Sequence, residues 1–122
     1  MEHGLIINLT QHESTSGQKT AGVVEPFRKE RVQELLTFDE LPHAYDIRCA
    51  AVRLAQIAVD HGADAAMIGG APFLMPALAE ALDDRGVTAL FAFSTRESVE
   101  TTLDDGSVTK QNVFRHKGFV EW

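Results

Sequence analysis

Three polar or glycine-rich stretches each follow an apolar run in this 122-residue chain: Asn8-Leu9-Thr10-Gln11-His12, Gly69-Gly70-Ala71-Pro72-Phe73 and Ser94-Thr95-Arg96-Glu97-Ser98. Together they hold amides, hydroxyls, an imidazole, a guanidinium and bare backbone, a set that suits an anionic ligand. His12 is the candidate acid or base, because imidazoles as a class exchange protons near neutral pH; it is equally a loop or helix-capping histidine. Arg96 is able to grip a phosphate with two parallel N–H donors or to stabilise developing charge; a surface pair with Glu97 or Glu100 is the plainer reading. Ser94, Thr95 and Ser98 offer hydroxyl donors, or cap a helix. Gly69-Gly70 would let a phosphate approach backbone N–H groups ahead of a helix N-terminus, or simply make a turn. Asn8, Thr10, Gln11, Ala71 and Phe73 complete the expected ligand-contacting set.

Some chemistry is argued against by missing patterns. Neither the Gly-x-Gly-x-x-Gly of a dinucleotide fold nor the Gly-Lys-Ser/Thr of a triphosphate loop is present, so NAD binding and ATP hydrolysis are unsupported. No Gly-x-Ser-x-Gly elbow argues for a serine hydrolase. His3, His43 and His61 lack metal-ligand spacing, and Asp104-Asp105 reads as a turn, so no metal and no cofactor is expected. A second basic group, Arg115-His116-Lys117, would add positive charge if a C-terminal arm folds over the crevice, and is otherwise a solvated turn.

The elements that must position these groups follow from apolar periodicity. Residues 5–7 read as a short buried strand. Thr15 with Gln18 three residues on fits a capping box opening a short helix to about residue 21. Residues 27–36 form an amphipathic helix, and 37–42 a connector. The clearest helix has Asp46 as its cap and Ile47, Ala50, Ala51, Leu54, Ile57 and Ala58 on one stripe, with His61-Gly62 as its stop. Residues 65–68 form a strand and 73–85 a helix, in which Pro76 fits only the first turn. Residues 87–93 are almost wholly apolar and predict a strand buried on both faces. Segments 99–103 and 108–114 flank Asp104-Asp105-Gly106-Ser107, whose Asp-Gly step signals a hairpin, and 119–122 add a last strand. This order predicts one α/β domain over 1–122: a Rossmann-like three-layer core with a mostly parallel sheet over 1–98, and a β-hairpin arm over 99–122. In such sheets ligands lie outside the carboxyl ends of the strands, where the three polar stretches would meet.

Bulk properties set limits. A chain of this length buries roughly two-thirds of its unfolded surface as one domain. Hydrophobic residues at 44% and charged residues at 24% are ordinary for globular chains. No apolar run approaches the ~20 residues needed to cross a bilayer, and the opening Met1-Glu2-His3-Gly4 is unlike a signal peptide, so no membrane and a cytoplasmic location are expected. The single Cys49 allows no internal disulfide and reads as a buried small hydrophobe. A net charge of -7 argues against duplex DNA, which needs a broad basic face, but not against a small anion held by local donors.

The layout of Asn8-Leu9-Thr10-Gln11-His12, the run from Gly69 through Pro72 to Pro76, and Phe93-Ser94-Thr95-Arg96 resembles the small CRISPR-associated ring nucleases, related to the CARF (CRISPR-associated Rossmann fold) domains. The likeness covers residues 4–98 in order of elements and leaves the arm outside. It implies a role in antiviral defence, as a homodimer that binds cyclic oligoadenylate across its two-fold axis. That dimer would cleave the ring without metal, a ribose 2′-hydroxyl attacking the adjacent phosphate to leave a 2′,3′-cyclic phosphate. The implied roles are phosphate binding by Gly69-Gly70, orientation by Asn8 and Thr10, charge stabilisation by Arg96, and acid or base for His12. A nucleotide sensor without turnover and an interaction protein without nucleotide ligand are the alternatives.

Overall fold

A computed structural model describes residues 3–122. The elements run β1 (Ile6–Leu9), α1 (Ser16–Thr20), β2 (Val23–Val24), α2 (Lys29–Leu36), α3 (Ala44–Asp60), β3 (Ala65–Ile68), α4 (Met75–Asp83), β4 (Thr88–Thr102) and β5 (Val108–Glu121). β1 and β3 are buried at every residue, as expected in the interior of a parallel sheet, with Asn8 the one polar side chain among them.

Local chemistry sets the helix ends. At α1 the capping box forms: Thr15 Oγ1 accepts the Gln18 N–H at 3.2 Å and Gln18 Oε1 accepts the Thr15 N–H at 3.0 Å. Asp46 is not the cap of α3 but its third residue, where its carboxylate accepts the His43 N–H at 2.9 Å. The predicted stripe is otherwise present, with Ala50, Ala51, Leu54 and Ala58 buried. The helix stops at His61-Gly62, where Gly62 takes a φ of 65° that favours glycine. Pro76 sits in the first turn of α4, where its missing N–H costs no hydrogen bond.

The five strands lie in the order β2-β1-β3-β4-β5, parallel except for the last pair. This is a mixed α/β architecture. Helices α2, α3 and α4 pack on one face against Ile7, Leu9, Ala66, Ile68 and Ala89. The opposite face holds a smaller cluster of Ile6, Val23, Ala65, Met67 and Leu90, with Phe119 against it. α1 is the one helix on that side among the described residues, and β5 comes up to it: a side-chain carbon at Gly17 would lie 3.1 Å from His116 Cβ.

Two sequence expectations fail here. Strand β2 was not foreseen, because two residues carry no periodicity to read. The strand expected to end at Phe93 instead continues to Thr102, pairing residue by residue with β5. Beyond Phe93 the backbone groups that face β5 are paired in that ladder and the outer edge has no strand partner among the described residues, so the polar sequence does not end the strand. Burial on both faces likewise extends only to Leu90, and Phe93 is 53% exposed. The Asp104-to-Ser107 turn forms as expected, Asp105 Oδ1 accepting the Ser107 N–H at 2.9 Å. The expected final strand is the continuation of β5. A register shift between Phe93 and Ser94 leaves Lys117 unpaired in the ladder beside Gly118, a bulge that bends the arm. No helix of the described residues is long and apolar enough to cross a membrane.

Candidate functional site

Chain order and sheet order diverge between β1 and β3: from β1 the chain steps outward to β2, then crosses back over β1 to β3. Crossovers of one hand running in opposite directions put their helices on opposite faces and open a crevice at the carboxyl ends of the two central strands. Leu9 and Ile68 are the register partners there, so the residues after them form its rim. A methyl on Gly69 would lie 3.6 Å from Thr10 Cγ2, which places the two loops side by side.

The loop after β1 is held from beneath by a polar network. Asn8, 0% exposed, accepts the Thr10 N–H at 2.9 Å and the Thr10 hydroxyl at 2.6 Å through Oδ1. Its Nδ2 donates to the His12 carbonyl at 2.7 Å, with Ser14 Oγ at 3.2 Å and both Glu25 oxygens at 3.1 Å. Glu25 also accepts the Ser14 N–H and hydroxyl. Lys29 Nζ donates to the Thr10 carbonyl at 2.6 Å and the His12 carbonyl at 3.0 Å, and lies 3.4 Å from Glu25. Burial pushes the Glu25 carboxyl up, but hydrogen bonds from Ser14 and Asn8, with the Lys29 charge, outweigh it and hold the pKa below the ordinary carboxylate value. Thr10, Ser14 and the His12 carbonyl are thus tied to Asn8, Glu25 or Lys29, and Gln11 to Gln33 and Thr37.

Above the network lies a cavity of about 560 Å³, within the range of small-molecule sites. Thr10, Gln11, His12 and Glu13 form one wall, Thr15 and Gln18 another, Gly69 and Gly70 the far rim, and Met67, Ile68, Phe91 and Ala92 an apolar floor. The His12 imidazole makes no hydrogen bond among the described residues and is exposed on this cavity. Gly70 has a φ of 145°, a backbone conformation that an L side chain resists. A neighbouring apolar cavity of about 440 Å³ shares Gly69, Gly70 and Phe91 and ends at Pro76 and Trp122.

Of the sequence-predicted site residues, the structure brings together Thr10, Gln11, His12, Gly69 and Gly70. Asn8 is correctly placed in sequence but fully engaged beneath the loop, so it positions the wall rather than lining the cavity. Ala71 and Phe73 turn away; Phe73 packs edge-on to Phe38 with ring centroids 5.3 Å apart. Ser94, Thr95, Arg96 and Ser98 are not at a strand end at all. They ride on the arm, outside the cavity lining, because β4 continues through them. Arg96 is exposed and pairs with neither Glu97 nor Glu100. Those carboxylates pair with Arg115 at 2.8 Å, Lys117 at 3.7 Å and Lys110 at 3.8 Å. The Arg115 hydrogen bond holds the Glu97 carboxyl below its ordinary pKa. The Arg115-His116-Lys117 group thus lies on β5 rather than in a turn and does not line the cavity: Arg115 and Lys117 both pair with Glu97, and the His116 ring lies against Phe119 with centroids 4.8 Å apart.

Sequence reasoning missed Ser14, Gln18 as a cavity residue, Glu25 and Lys29. Glu25 had one readable signal: a carboxylate directly after two valines, at the carboxyl end of what proves to be β2. Among the described residues no group of three or more His, Cys, Asp or Glu side chains is placed to hold a metal ion.

Fold and site together define a mixed α/β protein with a preformed crevice at the switch in strand order. The chain belongs to the family described as the uncharacterized protein MJ1673 family, whose pattern matches residues 4–120. The match runs through the arm as well as the core. No curated protein and no solved structure matches the chain.

Proposed function

We propose that this is a Rossmann-like nucleotide-binding protein whose ligand enters the crevice between β1 and β3. The observation that carries the reading is the convergence of Thr10, Gln11, the His12 imidazole and the Gly69-Gly70 rim on one cavity at the switch in strand order. The sharper form is a metal-independent ring nuclease acting on cyclic oligoadenylate. In that reaction a ribose 2′-oxygen bonds to phosphorus as its proton passes to His12. The P–O5′ bond breaks, the leaving oxygen takes a proton, and a 2′,3′-cyclic phosphate remains. A ring larger than one cavity is met by two copies presenting the same crevice across a two-fold axis.

One observation favours binding without turnover: no Lys or Arg side chain is among the cavity-lining residues to stabilise charge at phosphorus. Incubation with cyclic tetra- and hexa-adenylate, cyclic dinucleotides and mononucleotides in the presence of a chelator, read by chromatography and by thermal shift, separates the readings. A cyclic-phosphate product that disappears in His12→Ala supports the nuclease. Stabilisation without product supports the sensor. No stabilisation by any of these compounds rejects nucleotide binding.

A further inference from the structure

We propose that Gln18 determines specificity in this crevice, and that it reads an acceptor edge of the nucleobase rather than the phosphate. The inference rests on the nucleotide reading above and adds which part of the ligand sits against α1. Gln18 is 9% exposed and borders the cavity. The capping box decides which way its amide points: Oε1 must face the Thr15 N–H, 3.0 Å away, so Nε2 takes the other side. Among the described residues Nε2 has no acceptor. The side chain is held in place while Nε2 stays open to the cavity and is not a buried orphan, so the amide offers two preoriented N–H donors that a ligand acceptor can take in place of water.

The surroundings select a neutral acceptor. Glu13 lines the same cavity and no Lys or Arg joins the lining. The Lys29 ammonium beneath the loop is already engaged by the Thr10 and His12 carbonyls and Glu25. A phosphate here would meet a carboxylate with no compensating cation. A nucleobase instead brings ring nitrogens or carbonyls to Gln18, and its flat faces suit the floor of Met67 and Ala92. The phosphate then lies toward the open Gly69-Gly70 rim.

Calorimetric titration of adenosine, guanosine, cytidine, uridine and their 5′-triphosphates into wild type and Gln18→Glu tests this. The variant keeps the cap, since a carboxylate oxygen still accepts the Thr15 N–H, so its melting temperature should match wild type. Its affinity for the preferred nucleoside should fall about ten-fold or more. In wild type the matching triphosphate should bind no tighter than the nucleoside. Unchanged nucleoside affinity in a folded variant overturns the proposal. So does a triphosphate that binds wild type far more tightly and loses that advantage with added salt, a comparison that needs no variant and leaves nucleotide binding itself standing. If wild type binds none of these compounds and no cyclic oligoadenylate, both readings fall together.

Discussion

Replacing Asn8 by aspartate changes one NH2 to oxygen and nothing in shape, yet it should be among the most damaging substitutions in the chain. In the native protein Nδ2 sits 3.1 Å from both Glu25 oxygens. In Asn8→Asp two carboxylates would face each other across that distance. At an effective dielectric of about 20, two unit charges at 3.1 Å repel by about 5 kcal/mol. The Glu25 side chain is 31% exposed and Lys29 lies 3.4 Å away; solvent and that ammonium reduce the penalty to about 3 kcal/mol. Losing the bond to the His12 carbonyl adds about 1 kcal/mol. Against a typical total of 5–15 kcal/mol, the variant should be marginal at neutral pH. The pH dependence then has opposite signs in the two proteins. In wild type the Glu25 pKa is lowered on folding, so its contribution is complete above the unfolded value of about 4.3 and is lost as pH falls through the folded value. In Asn8→Asp the like charge raises the pKa of one carboxyl of the pair, so the penalty shrinks on acidification as the pair comes to share a proton. Urea denaturation followed by circular dichroism at several pH values measures both. A variant as stable as wild type at neutral pH, or one whose deficit does not shrink on acidification, would refute the account of the network.

Gly70→Ala should cost about 1–2 kcal/mol, because its φ of 145° strains a side chain even though Leu36 and Met75 leave ordinary space at 3.7 and 3.8 Å; chemical denaturation gives the value, and a neutral result would show that the loop relaxes freely. Arg96→Ala should leave both stability, within about 0.5 kcal/mol, and ligand affinity unchanged, since Arg96 neither lines the cavity nor pairs with a carboxylate; a large loss of binding would mean that the arm reaches a ligand in a way one chain does not show. His12→Ala should keep the wild-type melting temperature, because the loop is held through the His12 carbonyl and not its ring; a cooperative loss of stability would place the imidazole in the scaffold instead.

Local patterns were legible where a segment carries its own physical signal. The buried runs at β1 and β3, the stripe of α3, the Thr15–Gln18 box and the Asp-Gly turn each express a short-range rule, and each formed. Two of the three polar stretches also met as expected, because the carboxyl ends of neighbouring parallel strands must lie together.

What the sequence by itself determined is therefore the set of local elements and the identity of the His12 and Gly69-Gly70 loops. Tertiary structure decided the rest through pairings between distant residues. β5 supplied the partners that carry β4 past Phe93, and so moved Arg96 from the crevice to the arm. β2, only two residues long, exists through its pairing with Ile6 and Ile7, and that pairing brings Glu25 beneath Asn8. A strand without an apolar face leaves no periodic trace, and a half-buried carboxylate shows its purpose only once the donors it accepts from, far apart in sequence, have been brought to it.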